Sequence, residues 1–525
     1  MRYVYSTSRH VGRAFAWWLS LCLTLAFCAG CRRSEESNRN EAPELIVGAG
    51  TDVAVSGAFQ ARLGVYPLNV NVAEPLVRLS PDYKVEPSLA TSWEYRGQNT
   101  WRFFLRRGVR FHNGQEFTAR AVEWSIEQYA KGNVGYSFLT EESVKIVDDY
   151  TVDITPSKPN IPLPQQLVHP NYSIFASDTD PAVKPIGTGA FQMIEYRPNE
   201  RIVVMRHESY WGEKARLPRI TFRFIPDATT RVLALQAGEV DLIVDLPREQ
   251  AAQIAAQPNL TVARSPVGLI MSLQLNIHGA EPHTLLTERL LRQALGYAID
   301  RQTLIQKVWE GEGSEAQNMT APAILGVYAA QVKGFAFNQN KAAELLEASG
   351  WSVGADGIRE KNERKLQLIF LANPDIDAGT VEFIQAQLKQ VGIDAKWNKL
   401  PDVGSYAARQ NDGEFDINLS ISNQNDANPL FLPALIYYSK SSRPFTRWYY
   451  VGEKFDRLIE IGLQSSNPDD VQRIAAESIH VAIDEEAALI PIAGLFRLYA
   501  HKRTVEGFVP HPSSTNQSWS QIFLK

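Results

Sequence analysis

The stretch from Pro185 to Ile243 decides the fold; it reads PIGTGAF at 185–191 and RHESYWGEKARLPRITFRFIPDATTRVLALQAGEVDLI at 206–243. Its order is a Gly-rich turn, a cluster of aromatic residues, a strand, a helix and a second, buried strand. Asp227 is placed to cap the helix, and Gly238 to end it. Nothing in the stretch has the layout of a catalytic motif, so it predicts a scaffold and not a reaction centre.

Outward from this stretch, strands alternate with helices along most of the chain. Alternating aromatic and polar residues over 92–117 predict a half-buried hairpin. Thr118 opens a predicted helix, Asp300 and Asn338 are placed to cap two more, and Asn467 opens a long helix through Ile483. This alternation predicts an α/β fold.

The N-terminus has the pattern of an export signal. Residues 1–13 carry three arginines and no acid, and 14–30 are apolar and end in small residues just before Cys31. The segment resembles a bacterial lipobox, with Cys28 where Leu is usual, and predicts that Cys31 becomes the lipidated first residue of the mature chain. The alternative is an uncleaved signal anchor. Residues 31–43 are then expected to form a polar tether between the lipid and the folded body. The protein is accordingly expected to be a membrane-anchored lipoprotein of the periplasm or cell envelope.

Charge and cysteine content exclude several classes of function. Without residues 1–30 the chain has 495 residues, with 50 Lys and Arg against 58 Asp and Glu. A net charge of −8 argues against a nucleic-acid partner, which requires clustered cations. All three cysteines lie at or before Cys31. The body is therefore expected to have neither disulfides nor Cys-ligated metal, and its length calls for two or three domains.

Several motifs in order carry a resemblance to a known family. They are A-E-P-L-V at 73–77, W-R-F-F-L-R at 101–106, the deciding stretch, R-Q-A-L-G-Y-A-I-D at 292–300, K-A-A-E-L-L-E-A-S-G-W at 341–351 and I-Q-A-Q-L-K-Q-V-G-I at 384–393. Together they resemble family 5 of the extracytoplasmic solute-binding proteins of ABC importers, the oligopeptide-, dipeptide- and nickel-binding group. Details such as Y-W-G-E-K at 210–214 resemble the nickel-binding branch.

The resemblance implies a periplasmic-binding-protein type II fold: two α/β lobes joined by crossing strands, with an extra domain inserted in the first lobe. The ligand of such proteins sits between the lobes. The expected limits are 1–30 for the signal, 31–43 for the tether, 44–70, 180–268 and 487–525 for lobe one, 71–179 for the inserted domain and 269–486 for lobe two.

Mapping of the family's ligand anchors gives the candidate site residues. Peptide binders hold the ligand's amino terminus with an Asp four residues before a Pro; here Asn425 takes that position and Asp426 follows it. Nickel-type members use two Arg and a His, and those positions fall on Gly135, Asn171 and near Lys440.

The positions that remain give a pocket of amides, a hydroxyl and aromatic rings. The predicted ligand-binding residues are Tyr66, Phe138, Asn171, Asn423, Asn425, Asp426 and Thr515. Amides pair without charge and aromatic faces stack on flat or sugar-like groups. The ligand is expected to be a neutral or weakly charged polar solute, such as a modified peptide, an opine-like conjugate or a sugar conjugate. Alternatively, the Asn residues simply cap turns. His169 is expected near the cleft, more as a turn residue than as a ligand.

Three functions compete. The first is a monomeric, lipid-anchored receptor that captures a small polar solute of the peptide, peptide-like or metal-chelate class between its two lobes. It delivers that solute to an ABC permease and its ATPase, with no cofactor, no metal site and no turnover. The second is a lipid-anchored hydrolase of peptides or esters, although the chain has no G-x-S-x-G and no zinc-binding motif. The third is a binding module for sensing. Sequence alone does not separate the first from the third.

Overall fold

The structure is a computed structural model that describes residues 43–50, 70–132, 138–157, 162–169, 172–179, 184–424, 427–465 and 467–525. Tyr66, Asn171, Asn425, Asp426, Gly135 and the whole predicted signal and tether up to residue 42 lie outside these ranges. Residues Glu44–Lys525 form one compact unit. Among the described residues, no helix combines the length and apolarity that a membrane span requires.

A seven-stranded mixed sheet forms the first lobe. Its strands lie in the spatial order Phe191–Arg197, Arg201–Arg206, Arg219–Phe224, Glu44–Ala49, Leu242–Ile243, Leu498–Lys502 and Leu260–Arg264. Glu44–Ala49 runs parallel to both of its neighbours, and the other pairs are antiparallel. Helices Ala228–Gln236 and Arg248–Ala255 pack on this sheet. The Asp227 carboxylate accepts a hydrogen bond from the Thr230 amide at 2.7 Å, which confirms the predicted cap.

A six-stranded sheet forms the second lobe, in the order Ser314–Glu315, Leu489–Leu495, Leu269–Leu275, Ile417–Asn423, Gln367–Ala372 and Asp394–Trp397. All seven residues of Leu489–Leu495 are buried, as expected for a strand with neighbours on both edges and helices on its faces. The helices of this lobe are Arg289–Ala298, Arg301–Thr303, Pro322–Leu325, Gln339–Ala348, Ala378–Gln390, Val403–Asp412, Phe431–Tyr437, Thr446–Tyr449, Glu453–Leu463 and Pro468–His480.

Side-chain caps set where several of these helices begin. Asp300 and Asn338 accept hydrogen bonds from the amides of Thr303 and Lys341, both at 2.9 Å, as predicted. The sequence pattern over 381–391 predicts a helix from Val381. The helix Ala378–Gln390 begins three residues earlier, because Asp377 caps it. The long helix that follows Asn467 is α-helical to His480 and continues as the π-helical turn Val481–Glu485.

Residues from Glu74 to Ile174 build a smaller body. Its four-stranded antiparallel sheet has the order Ala90–Gly97, Thr100–Leu105, Thr151–Ile154 and Val144–Asp148, and helices Ala119–Gly132 and Leu163–Leu167 accompany it. Two short pairings complete it: Glu74–Pro75 with Ser173–Ile174, and Val77–Leu79 with Val85–Pro87. The predicted hairpin over 92–117 is therefore present. A second hairpin, which the turn at Asp148 and Asp149 predicts over 144–154, is present as well. The domain limits given above remain predictions.

Short strands complete the structure at two edges. One small sheet joins Ser352–Val353, Arg359–Lys361 and Arg364–Lys365, and another pairs Val505–Glu506 with Phe523–Leu524. Both small sheets are separate from the two main sheets.

Two glycines of the deciding stretch allow its backbone to lie in contact with the backbone of residues 71–73. A Cβ on Gly187 would lie 2.1 Å from the Val72 carbonyl oxygen, and one on Gly189 would lie 2.2 Å from that of Asn71. Only glycine allows this approach. It brings the Gly-rich turn against the A-E-P-L-V segment, which anchors the smaller body to the first lobe.

The anchor is completed by the buried carboxylate of Glu74. It accepts hydrogen bonds from the Thr188 hydroxyl at 2.7 Å, the Tyr210 hydroxyl at 2.7 Å and the Trp211 indole N–H at 2.9 Å. Burial raises the pKa of Glu74, and the three hydrogen bonds oppose that shift. Three separate motifs of the sequence thus meet at one carboxylate.

Two strand connections join the lobes side by side. The first crossing runs from Leu260–Arg264 in the first sheet to Leu269–Leu275 in the second, and the second crossing returns from Leu489–Leu495 to Leu498–Lys502. At the turning points Ser265 and Arg497 exchange two hydrogen bonds, each 3.0 Å long. A pair of adjacent crossings is the geometry of a hinge.

Candidate functional site

Three parts of the molecule meet beside the first crossing, at Tyr83, Gly268, Gln424 and Pro512, here called the three-way seam. A Cβ on Gly268 would lie 2.2 Å from the Pro512 carbonyl oxygen and 3.0 Å from the Tyr83 hydroxyl. The Gln424 amide donates to the Gly268 carbonyl at 3.2 Å, and the Tyr83 hydroxyl donates to the Gln424 carbonyl at 3.4 Å. Glycine at 268 therefore allows the C-terminal segment and the smaller body to close over the second lobe.

A buried histidine fixes the C-terminal side of the seam. His511 Nε2 lies 3.2 Å from the Leu79 carbonyl oxygen, so this nitrogen must donate. Nδ1 lies 3.0 Å from both the amide nitrogen and the carbonyl oxygen of Ser513; in the neutral ring with the proton on Nε2, it accepts from the amide. Burial lowers the pKa of His511, partly offset by its hydrogen bonds to backbone oxygens. The ring is therefore neutral and couples the C-terminal segment to the smaller body.

Thr515, one of the predicted ligand-binding residues, lies next to this histidine in the 3₁₀ turn Ser514–Asn516. Its Oγ1 is 2.7 Å from the Ser513 hydroxyl and accepts from the Asn516 amide group at 3.2 Å. The side chain is buried, with 8% of the residue exposed. Hydroxyls and an amide, without a charged group, make up this part of the seam.

Asn423, a second predicted residue, is the last residue of strand Ile417–Asn423 and lies opposite Leu269 of the first crossing. Among the described residues its Oδ1 has no hydrogen-bond partner, and that atom is enclosed. Nearby, Asn428 Oδ1 accepts from the Leu430 amide at 3.0 Å. Asn428, which is not one of the predicted ligand-binding residues, therefore caps a turn.

Phe138, the third predicted residue in the described ranges, belongs to the apolar core of the smaller body. Its ring centroid lies 5.6 Å from that of Tyr172. Ala427, which follows Asn425 and Asp426 in the chain, packs against this core, and so do Ala321 and Ile324 of the second lobe. The second lobe and the smaller body thus share one continuous apolar cluster and are in direct contact.

The remaining mapped positions carry no ligand chemistry of the nickel type. Lys440, near the expected His position, pairs with Glu460 at 2.5 Å, with 69% of the lysine side chain exposed. His169 lies in the turn after helix Leu163–Leu167, where burial lowers its pKa to about 4. Among the residues the structure describes, no group of three or more His, Cys, Asp or Glu is arranged to hold a metal ion.

Two cavities flank the crossings. One of about 200 Å³ lies over the first-lobe sheet; its lining includes Phe222, Tyr499, Trp519 and Arg497. The other, about 210 Å³, lies in the second lobe, and its lining includes Val267, Ile270, Gly494 and residues 314–318. Sequence reasoning identified neither these residues nor Tyr83, Gly268 and His511. Their joint position depends on contacts across hundreds of residues, which no local pattern signals.

Comparisons with known proteins agree with this architecture. The model of the bacterial extracellular solute-binding proteins, family 5, matches residues 84–443. The nickel-binding periplasmic protein of Escherichia coli strain K12 is 30% identical over 86% of this chain and 89% of its own. The glutathione-binding protein GsiB of Salmonella choleraesuis strain SC-B67 is 25% identical over 91% of this chain and 95% of its own.

A solved structure shows the same similarity in three dimensions. NikA from Brucella suis, in complex with Fe(III)-EDTA, is similar at a TM-score of 0.78 and 27% sequence identity. The match covers 92% of this chain and 100% of that one. The two-lobed type II architecture predicted from the sequence is thereby confirmed.

Proposed function

Because this chain belongs to family 5 of the bacterial extracellular solute-binding proteins, we propose that it captures a small polar solute between its lobes and delivers it to an ABC permease. The relatives reported above are named for the solute that they bind, and a binding role needs no turnover. The observation that carries the proposal is the pair of adjacent crossings, with Ser265 tied to Arg497 between two separate sheets. Such a hinge lets a solute that contacts both lobes favour the closed arrangement.

The proposed solute is neutral or weakly charged, and peptide-like, opine-like or sugar-like. Support comes from the side chains that line the described seam: Tyr83, His511, Ser513, Thr515 and Asn516. All are polar without a formal charge, because burial keeps His511 neutral. A fully charged terminus enclosed there would need an opposite charge to offset its desolvation. We propose that the predicted residues Tyr66, Asn171, Asn425 and Asp426 also contact this solute.

We further propose that the chain works as a lipid-anchored monomer of the cell envelope, with Cys31 as the lipidated residue. Processing at Cys31 would place the body on the outer side of a membrane and keep it near its permease. Mass spectrometry of the N-terminal peptide checks this: a diacylated Cys31 supports the anchor, and an unmodified chain that begins elsewhere contradicts it.

A thermal-shift screen of the purified protein tests the ligand class. The panel contains free di- and tripeptides, peptide and sugar conjugates, opine-like acids and nickel with histidine. We expect a rise in melting temperature with a neutral conjugate. A rise with free peptides and with none of the neutral solutes would refute the proposed class. Sustained turnover in an esterase and peptidase panel would support the hydrolase instead.

A matched pair of variants locates the site. Thr515→Val keeps the volume of the side chain and removes the hydroxyl at the seam, so the ligand-dependent rise should shrink. Thr287→Val makes the same change on the exposed surface of the second lobe and should leave the rise unchanged. Equal rises in both variants would exclude Thr515 from the site.

A further inference from the structure

Two arginines of the first lobe reach across to one turn of the second lobe. Arg264 ends the strand Leu260–Arg264, and Arg248 begins the helix Arg248–Ala255. Their partners are Glu312 and Trp309, which lie together because the Glu312 amide donates to the Trp309 carbonyl at 2.8 Å. The contacts therefore join the same two small regions at two points.

The first contact is a two-pronged ion pair. Arg264 Nε donates to Glu312 Oε2 at 2.7 Å, and Arg264 Nη2 donates to Glu312 Oε1. Only 9% of the Glu312 side chain is exposed, against 43% of that of Arg264. A charge-assisted pair with a fork geometry and one buried partner is much stronger than an ordinary surface ion pair.

The second contact is a cation stacked on an aromatic ring. The Arg248 guanidinium carbon lies 4.4 Å from the centroid of the Trp309 ring. Trp309 is 2% exposed and donates through Nε1 to the Thr380 hydroxyl at 2.7 Å, so the ring is fixed within the second lobe. Within the described part of the chain, the buried Nη1 of Arg248 has no hydrogen-bond partner. The guanidinium thus stacks on Trp309 and also feels the charges of Asp377, Glu249 and Glu312.

Both contacts form in an arrangement in which the second lobe touches the smaller body. The second lobe shares an apolar cluster with the smaller body, and Tyr83 reaches Gln424 across the seam. Arg264 directly precedes Ser265, where the first crossing leaves the first-lobe sheet, and Arg248 lies farther from that turning point along the chain.

We propose that Arg248 and Arg264, with Trp309 and Glu312, form a cross-lobe clamp that sets how far the solute-free protein opens. This inference rests on the proposed function insofar as the lobes move. A solute binds tightly only to the fraction of molecules that can close around it. A strong clamp keeps that fraction high, so it raises the affinity without contacting the solute.

Distance measurements between spin labels on the two lobes test the clamp. The exposed residues Leu233 of helix Ala228–Gln236 and Ile461 of helix Glu453–Leu463 are replaced by Cys, in a chain whose three own cysteines are Ser. Pulsed electron paramagnetic resonance then gives the distance distribution without solute. In the chain with an unmodified clamp, most molecules should show the distance between the two labels that this structure has.

Two variants weaken the clamp in different ways. The double variant Arg264→Gln with Glu312→Gln removes both charges, so no buried charge is left unpaired. Arg248→Met keeps the apolar contact with Trp309 and removes the cation. Each should lower the ratio of closed to open molecules about tenfold, the factor that a charge-assisted contact carries. Glu344→Gln, which breaks the Lys341 pair within one helix of the second lobe, should change nothing.

Distance distributions that coincide in the unmodified chain and in both variants would overturn the clamp and make these contacts parts of the pivot. If the double variant does not fold, Arg248→Met decides alone, because its Nη1 leaves no acceptor unpaired. The outcome is separable from the proposed function. If the variants open and no solute raises the melting temperature, the clamp is supported and the receptor is refuted. If a solute binds and the distances are unchanged in the variants, the receptor is supported and the clamp is refuted.

Discussion

Replacement of Glu74 separates the shape of its hydrogen-bond network from its charge. Glu74→Ala removes the only acceptor that the structure gives to three donors, on Thr188, Tyr210 and Trp211. Thr188 is fully buried, whereas the other two side chains are half-buried and reach some water. At about 1 to 3 kcal/mol for each buried donor left unpaired, the cost is about 3 to 5 kcal/mol of unfolding free energy.

Glu74→Gln should cost less than about 1.5 kcal/mol at pH 7. The amide oxygen can take the place of Oε2, where it accepts from Trp211 and Thr188. The amide nitrogen then donates to the Tyr210 hydroxyl, which can also act as an acceptor. Every partner keeps a hydrogen bond, and the cost of burying a carboxylate disappears.

The pH dependence gives an independent check. Burial raises the pKa of Glu74 above its value in the unfolded chain. The stability that Glu74 contributes is therefore fully present below about pH 4.3, and it is lost as the pH rises through the folded-state pKa. Glu74→Gln has no such titration, so its stability relative to the natural chain should improve from pH 4 to pH 8.

Urea unfolding at 25 °C, followed by tryptophan fluorescence, measures these differences. Glu86→Ala, which breaks an exposed ion pair with Arg78 in the same body, is the control and should leave the unfolding midpoint unchanged. If Glu74→Gln destabilises the protein as much as Glu74→Ala does, the charge and not the hydrogen-bond geometry holds the network, and the reasoning is refuted.

Two further outcomes are expected. Gly189→Ala forces a Cβ to within 2.2 Å of the Asn71 carbonyl oxygen, so it should lower the melting temperature sharply or prevent folding. The control Gly379→Ala, whose Cβ would meet nothing closer than 3.4 Å, should be neutral or stabilising. A neutral Gly189→Ala would contradict the close approach of the two backbones. Burial lowers the pKa of His112 to about 4, so its contribution to stability is fully present above about pH 6.5 and is lost as the pH falls towards 4. At about 1.4 kcal/mol per pH unit, the loss of unfolding free energy is about 3 kcal/mol. His112→Gln should therefore reduce the decrease in unfolding free energy that urea unfolding measures between pH 7 and pH 4.

Much of the fold was predictable because it depends on local signals. The caps of Asp227, Asp300 and Asn338 follow from residues three positions apart, and such contacts form within one turn of the chain. The alternation of strands and helices gave the α/β class for the same reason. Where a predicted element began at a different residue, as at Asp377, the signal was a cap that the hydrophobic pattern does not contain.

The candidate site was predictable only through resemblance, residue by residue. Phe138, Asn423 and Thr515 lie on three different parts of the molecule, and the structure places each beside a contact between those parts. Whether they touch a solute stays a prediction. The enclosed Oδ1 of Asn423 depends on how the end of its strand is packed, which its neighbours in sequence do not indicate.

The sequence by itself determined the α/β class and the export pattern, because these lie in composition and periodicity. Its motifs in a fixed order determined the family, and the resemblance to that family implied the two lobes. Only the tertiary structure decided that Glu74 receives three donors, that Gly268 lets Pro512 and Tyr83 close on the second lobe, and that Arg264 meets Glu312. The physical reason is range. A hydrogen bond or an ion pair acts over a few ångströms, and residues 48 to 341 positions apart come that close only after the sheets and crossings have formed.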